Sequence, residues 1–427
     1  MIDKVNYKKR VVDSQLENQL EAAGIVLIEG AKWCGKTTTA EQQAASALYM
    51  NDPKTQAINS RLAETDINVL LEGATPRLID EWQRTPQLWD AARFLVDHRG
   101  REGQIIFTGS AEPVDQSKMI HSGTGRVGWV KMRPMSLWES EDSNGAVSLS
   151  ALFSDAFCPA QSNDITLREL CYLICRGGWP RAIGKSEKVA LMQSYNYVDA
   201  IAKREMKEVD RVGRSEQSTR LLLRCCARHQ ATQVSVGTIA ADFSKHEGAN
   251  ISDETIRSYL MALKKLFVVE DLPAWNPNLR SKAAIRTSDT LYFVDPSIAT
   301  ASLGVGPNDL MKDLNTLGLF FETMAVRDLR VYTESLDGNV YHYRDNNGLE
   351  CDAVLHLRNG HYGLVEIKLG GDTLIEEGAK NLLLLSKKID TEKMYAPSFQ
   401  MVLTGVGQYA YRRTDGVCVV PISCLRP

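Results

Sequence analysis

Gly30-Ala31-Lys32-Trp33-Cys34-Gly35-Lys36-Thr37 decides how the rest of the chain reads. A glycine, four residues and then Gly-Lys-Thr is the pattern of a loop that wraps phosphate groups, and its flanks agree. Ile25-Val26-Leu27-Ile28 before it is a short apolar run suited to a buried parallel strand, and Thr38 to Gln43 after it can continue as a helix. Backbone N–H groups and the positive end of that helix are expected to face the phosphates, so that Gly30, Ala31, Lys32, Trp33, Cys34, Gly35 and Thr38 line a bound nucleotide. Lys36 is expected to reach the outer phosphates, and the Thr37 hydroxyl to hold Mg²⁺.

A phosphate loop needs carboxylates on a neighbouring strand. Pro76-Arg77-Leu78-Ile79-Asp80-Glu81 is an apolar strand ending in such a pair. Asp80 is expected to hold the Mg²⁺ hydration shell and Glu81 to act as general base on the attacking water. Leu88, Ala91, Ala92, Leu95 and Val96 mark a helical face within Pro86 to His98, and Gln104 to Ser110 reads as a further buried strand ending in hydroxyls. Thr108 or Ser110 there can contact the γ-phosphate or the attacking water, or simply form the turn. Arg126 precedes the strand-like Val127 to Met132, as a surface arginine or as a cation offered to a neighbouring subunit's nucleotide. Between these, Ala47 to Asn51 reads as a second strand and Ile58 to Leu71 as one helix.

The chain has 427 residues, 44% hydrophobic and 24% charged, enough for two or three domains and unlike a disordered or fibrous protein. A net charge of -3 leaves no overall basic footprint, so nucleic-acid contact has to be local. Nine cysteines without a CxxC pair, and a start without an apolar signal region, fit a reducing cytoplasm. No apolar run approaches the ~18 residues of a membrane span.

From Ile165 the pattern turns helical. Leu167, Leu170, Cys171, Leu173 and Ile174 form one face, which stops at Gly177-Gly178-Trp179-Pro180. Leu191 to Val209 is a long helix candidate, and Thr238 to Phe243 with Ser252 to Phe267 reads as a helix-turn-helix followed by a first wing strand, Val268 to Leu272. Residues 211–290 hold 12 Lys and Arg against 8 Asp and Glu, a local excess that suits either DNA contact or an oligomerisation module.

Four residues stand in an informative order in the last third. Glu322 lies in the amphipathic stretch Gly318 to Arg330, Asp352 in the alternating Leu349 to Leu355, and Glu366 and Lys368 on one face of the strand Gly363 to Lys368. Asp352 and Glu366 on adjacent strands can share a divalent ion, Lys368 can act on water or phosphate charge, and Glu322 can close the metal shell.

GAKWCGKTT, LIDEWQ with Gln83 after the acidic pair, IIFTGSA and GRVGWVKMRPMSLWES together resemble the AAA+ superfamily. More narrowly, they resemble the bacterial and archaeal ATPases that pair an AAA-type core with a C-terminal DUF4143 domain. Ala31 stands where that family commonly has proline. The resemblance implies an α/β fold in three parts: an AAA+ P-loop parallel-sheet core at 1–150, a helical lid and winged-helix-like region at 151–304, and a restriction-endonuclease-like DUF4143 domain at 305–427. It implies ATP and Mg²⁺ as cofactors, DNA and further copies of the chain as partners, no membrane, and Arg181 as a residue of the nucleotide lid. Glu322, Asp352, Glu366 and Lys368 resemble a PD-(D/E)xK nuclease site. The expected function is ATP hydrolysis coupled to action on DNA; the alternative is a nucleotide-switched binding or interaction protein whose nuclease fold is inert.

Overall fold

Ile25 and Leu27 point to one side of a strand and Val26 and Ile28 to the other, and both sides are apolar because both are covered. In the computed structural model, which describes residues 7–111, 123–210, 212–247, 251–277 and 288–427, Ile25 and Leu27 join Leu88, Ala92 and Val96 in one core. Val26 and Ile28 join Val12, Leu16 and Ala40 in another. The chain forms two compact units. One comprises residues 1–134, 203–214 and 261–268, and the other residues 135–202, 215–260 and 269–427.

The first unit opens with α1 (Val12–Ala22), β1 (Ile25–Glu29), α2 (Lys36–Gln43), β2 (Ser46–Tyr49), α3 (Gln56–Thr65) and α4 (Asn68–Leu71). β3 (Arg77–Asp80), α5 (Leu88–Arg99), β4 (Ile105–Gly109) and β5 (Val127–Lys131) follow. Its five strands are parallel in the order β2-β3-β4-β1-β5. Neighbouring β1, β3 and β4 thus bring their C-terminal ends together, where an open parallel sheet presents its loops to ligands. The stretch expected as one helix over Ile58 to Leu71 is two, because Asp66 leaves the helical region and its carboxylate accepts the Asn68 N–H at 3.2 Å.

The chain continues through β6 (Val147–Ser148), α6 (Leu149–Phe153), β7 (Ala160–Gln161), α7 (Leu167–Arg176) and α8 (Glu187–Ala200). A π turn, Ile201–Glu205, leads into the short α9 (Met206–Glu208). Then come α10 (Glu216–His229), α11 (Val236–Glu247), α12 (Asp253–Lys265) and the antiparallel ribbon of β8 (Val269–Leu272) with β9 (Thr290–Phe293). β9 stops at Phe293. Asp295 instead caps α13 (Pro296–Leu303), its carboxylate taking the Ser297 N–H.

α14 (Pro307–Leu310) and the 21-residue α15 (Leu314–Glu334) lead to β10 (Gly338–Arg344), β11 (Glu350–Leu357) and β12 (Tyr362–Lys368). α16 (Asp372–Lys388), β13 (Phe399–Thr404), β14 (Tyr409–Arg412), β15 (Cys418–Pro421) and β16 (Leu425–Arg426) complete the chain. The second unit's mixed sheet runs β10-β11-β12-β13-β15-β14-β7, parallel only at β12-β13 and β13-β15. Leu382 and Leu385 of α16 pack on Tyr362, Leu364 and Val402 of that sheet.

The Gly177-Gly178 turn is held without any nucleotide. Gly178 N–H donates to Asp295 Oδ2 at 2.9 Å, its carbonyl accepts the Met135 N–H, and the Trp179 indole donates to Ser297. Asp295 also takes Arg327 at 2.8 Å. Arg327 pairs in turn with Asp328, whose other oxygen accepts the Leu137 N–H at 2.9 Å. This network is buried and satisfied, and its loss on removing one partner would be costly. A methyl at Gly178 would lie 2.0 Å from the Met135 carbonyl oxygen, whereas one at Gly318 on α15 would meet nothing within 4 Å. Gly178→Ala is therefore expected to destabilise the second unit by about 2 kcal/mol or more. Gly318→Ala is expected to stabilise it by up to about 1 kcal/mol. Denaturant midpoints of the two variants against the parent protein check both signs.

Candidate functional site

At the C-terminal edge of the parallel sheet the loop from Gly30 to Gly35 turns back on itself. Gly30 has φ +151°, and a Cβ there would lie 2.0 Å from the Met132 carbonyl oxygen. Gly35 has φ +106° at the start of α2, and Trp33 adopts φ +65° and is 42% exposed. The Lys36 side chain is buried, and its ammonium donates to the carbonyls of Gly30 and Ala31, both at 2.8 Å. Phosphate oxygens are acceptors of the same kind carrying full charge, so they are the groups that would draw this cation away.

Asp80 is the junction of the site. Its Oδ1 accepts the Thr37 hydroxyl at 2.7 Å and the Thr108 hydroxyl at 2.6 Å, so the residues read as magnesium and γ-phosphate contacts stand together. These two hydroxyls and one carboxylate are hard oxygen donors that fit Mg²⁺. Beside them the Ser110 hydroxyl is buried with no partner among the described residues. A buried polar atom of that kind calls for a polar ligand. Glu81 follows at φ +58°, partly exposed, with one carboxylate oxygen taking the Gln83 amide at 2.6 Å.

The remaining expected members have other partners or other places. Lys32 is ion-paired with Glu205 at 2.5 Å, and Thr38 sits in the first turn of α2 with its carbonyl taking Gln42. Cys34 is buried, its thiol directed at the Met132 carbonyl. Arg126 stands at the start of β5, the opposite end of the strands from the phosphate loop. There it binds Asp97 at 2.8 Å and holds that carboxyl below the usual range. Arg181 is exposed in the second unit, one residue past the Gly-Gly-Trp-Pro turn.

One contributor escaped the sequence reading. Arg10 follows Lys8 and Lys9 in a basic run, yet it is buried and donates to the Cys34 carbonyl and the Arg133 carbonyl, both at 2.8 Å. It ties the phosphate loop to the end of β5. A basic run gives no signal that one of its members will be internal.

The second unit assembles a separate cluster. Lys368 bridges Glu366 at 2.7 Å and Asp352 at 3.3 Å, and Asp352 also accepts the Ile367 N–H at 2.7 Å. Asp352 and Glu366 therefore face one another across one ammonium, with Lys368 on their side. Gly378 of α16 leaves room for them: a Cβ there would come 3.2 Å from that of Glu366. Burial and the Asp352 charge push the Glu366 carboxyl above its usual range, and Glu366 Oε1 has no partner among the described residues. Glu322 on α15 feels the same charge and takes the Tyr292 hydroxyl at 2.5 Å, so the β9 tyrosine belongs to the cluster although no motif marks it. Among the described residues no three His, Cys, Asp or Glu side chains gather closely enough to hold a metal ion.

Comparison with known proteins matches three separate stretches of the chain. A family model described as an AAA domain matches residues 22–141, one named DUF8612, a domain of unknown function, matches 167–309, and DUF4143, likewise of unknown function, matches 317–425. Uncharacterized proteins of Mycobacterium tuberculosis and Mycobacterium bovis are each 22% identical over 417 residues, 97% of this chain and 83% of theirs. A Walker-type ATPase of Pyrococcus abyssi is similar over 70% of this chain and 97% of its own, at 15% identity and a TM-score of 0.42. A signal-transduction ATPase with a tetratricopeptide repeat sensor from Pyrococcus horikoshii is similar over 78% and 48%, at 13% identity and a TM-score of 0.21. With the AAA match on the phosphate loop and the DUF4143 match on the carboxylate cluster, the chain combines an AAA-type P-loop ATPase domain with a C-terminal DUF4143 domain.

Proposed function

We propose that the chain binds ATP with Mg²⁺ and hydrolyses it, and that the nucleotide cycle serves a nuclease-like module acting on DNA. The observation that carries the first part is the convergence of the Thr37 and Thr108 hydroxyls on Asp80, with the Lys36 ammonium held on the carbonyls of the phosphate loop. Lys36 leaves the loop carbonyls for the β- and γ-phosphates, and the loop N–H groups share their charge. Bound Mg²⁺ supplies neutralisation of the phosphate oxygens, with Thr37 and Asp80 holding it. Glu81 takes a proton from the attacking water as that oxygen bonds to the γ-phosphorus and the bond to the bridging oxygen breaks.

For the second unit the reading rests on Asp352 and Glu366 facing one another with Lys368 between them. Asp352 and Glu366 would hold a divalent ion, which would supply charge neutralisation at a scissile phosphate, and Lys368 would bind the phosphate oxygens. The helices α10, α11 and α12 with the β8-β9 ribbon have the order of a winged helix, which would carry the DNA contact. The inert-scaffold reading also has an observation in its favour: the Lys368 ammonium is already ion-paired with one oxygen of each carboxylate.

Lys36→Ala is expected to weaken ATP binding by about 100-fold or more, because it removes the buried cation of the loop. Glu81→Gln should bind ATP within about threefold of the parent while single-turnover hydrolysis falls by about 10² to 10⁴. Fluorescent-nucleotide titration and single-turnover assays separate the two, and turnover at parent level in Lys36→Ala would sink the assignment.

Asp352→Ala and Glu366→Ala are each expected to abolish Mg²⁺- or Mn²⁺-dependent DNA cleavage with ATP hydrolysis unchanged. Supercoiled, linear and branched DNA incubated with and without ATP provides the assay. No cleavage by the parent protein under any of these conditions selects the inert scaffold.

A further inference from the structure

The turn after β3 brings one more group to the nucleotide site. Trp82 is buried between Trp89 and Phe107, ring centroids 5.2 and 5.3 Å away, so the 3₁₀ turn Trp82–Arg84 is pinned to the core. Pinned there, the turn aims Gln83 back at Glu81, and its Nε2 donates to Glu81 Oε2 at 2.6 Å. With the donor end committed, the amide has an acceptor left. That oxygen, Oε1, is buried, and no described donor reaches it. It lies against the end of β4, where a Cβ on Gly109 would come within 3.1 Å of it. Ser110 follows directly, its hydroxyl also buried without a described partner, and Thr108 directly precedes Gly109 with its hydroxyl on Asp80.

A buried carbonyl oxygen without a donor is unfavourable by about 1–3 kcal/mol. The backbone that carries the pair is strained too, since Glu81 holds φ +58°, uncommon for a residue with a side chain. A packed turn that keeps both features is arranged for something that donates a hydrogen bond between Gln83 and Glu81.

We propose that Gln83 is a positioning residue of the hydrolytic step, gripping Glu81 through its N–H and accepting a hydrogen bond from the attacking water through Oε1. The inference rests on the ATP-hydrolysis reading above and adds the group that orients the nucleophile. One water hydrogen stays on the water oxygen and bonds to Gln83; the other passes to the Glu81 carboxylate. The water oxygen bonds to the γ-phosphorus as the bond to the bridging oxygen breaks and its electron pair leaves with ADP. Gln83 itself gains and loses no proton.

The test is a double-mutant cycle in the full chain. Single-turnover ATP hydrolysis and fluorescent-nucleotide affinity are measured for the parent, Gln83→Ala, Glu81→Gln and the double variant. Gln83→Ala is expected to slow hydrolysis by about 10- to 100-fold with nucleotide affinity changed by less than about twofold. Because Gln83 acts on the same water as Glu81, its removal in the Glu81→Gln background should cost less than about threefold; a merely structural role would add in full. If Gln83→Ala does not fold, Gln83→Met keeps the packing volume and loses both hydrogen bonds, and the same cycle is run with it. Parent-like turnover in the Gln83 variants, or additive losses, would overturn the role of Gln83 alone when Glu81→Gln is inactive. A parent protein that binds ATP and never hydrolyses it would overturn the hydrolysis reading, and this inference with it.

Discussion

Two hydroxyls meet on a single oxygen of Asp80, and the nucleotide unit depends on that meeting. Thr37 arrives from the first turn of α2 and Thr108 from the end of β4, while Asp80 ends β3. The three can meet only if β3 lies beside β4, β4 beside β1, and the loop after β1 folds over the sheet edge, which is the order found. Each neutral-to-charged hydrogen bond contributes about 1.5–3 kcal/mol. Their larger effect is to fix the distance between the phosphate loop and the carboxylate strand before any ligand arrives. Preorganisation of this kind lowers the cost of binding.

Much of that site was legible in the sequence because the chemistry needs particular residues at particular places. Gly35, Lys36 and Thr37 have few alternatives, and Asp80-Glu81 after an apolar run is recognisable once a phosphate loop stands upstream. The strands were legible for another reason: a parallel strand buried on both faces has to be apolar throughout, as Ile25 to Ile28 is. What stayed hidden depends on tertiary neighbours. Arg10 looks like a surface cation and becomes internal because two backbone carbonyls converge on it. Tyr292 joins the carboxylate cluster through an α15 partner 30 positions away. The break at Asp66 turned on a side chain competing for a backbone N–H, which periodicity cannot see.

The two clusters differ in how they treat charge. In the nucleotide unit the cation Lys36 rests on neutral carbonyls, so a polyanion meets an ammonium with no counter-charge to displace. In the second unit Lys368 is already shared by two carboxylates, and Glu366 is nearly wholly buried. Parting that buried pair would leave an uncompensated charge in a poorly hydrated place. The same sequence thus contains one lysine resting on neutral acceptors and one already held by carboxylates.

Arg10 carries a consequence for where the nucleotide domain begins. The AAA match starts at residue 22, so a fragment trimmed to it would keep every residue of the phosphate-loop pattern. It would nonetheless lose α1, whose Val12 and Leu16 cover one face of β1, and the guanidinium that holds the Cys34 carbonyl against the end of β5. The loop would then be free to sample conformations in which its N–H groups no longer converge. The working boundary of the domain is set by a brace that similarity alone leaves outside.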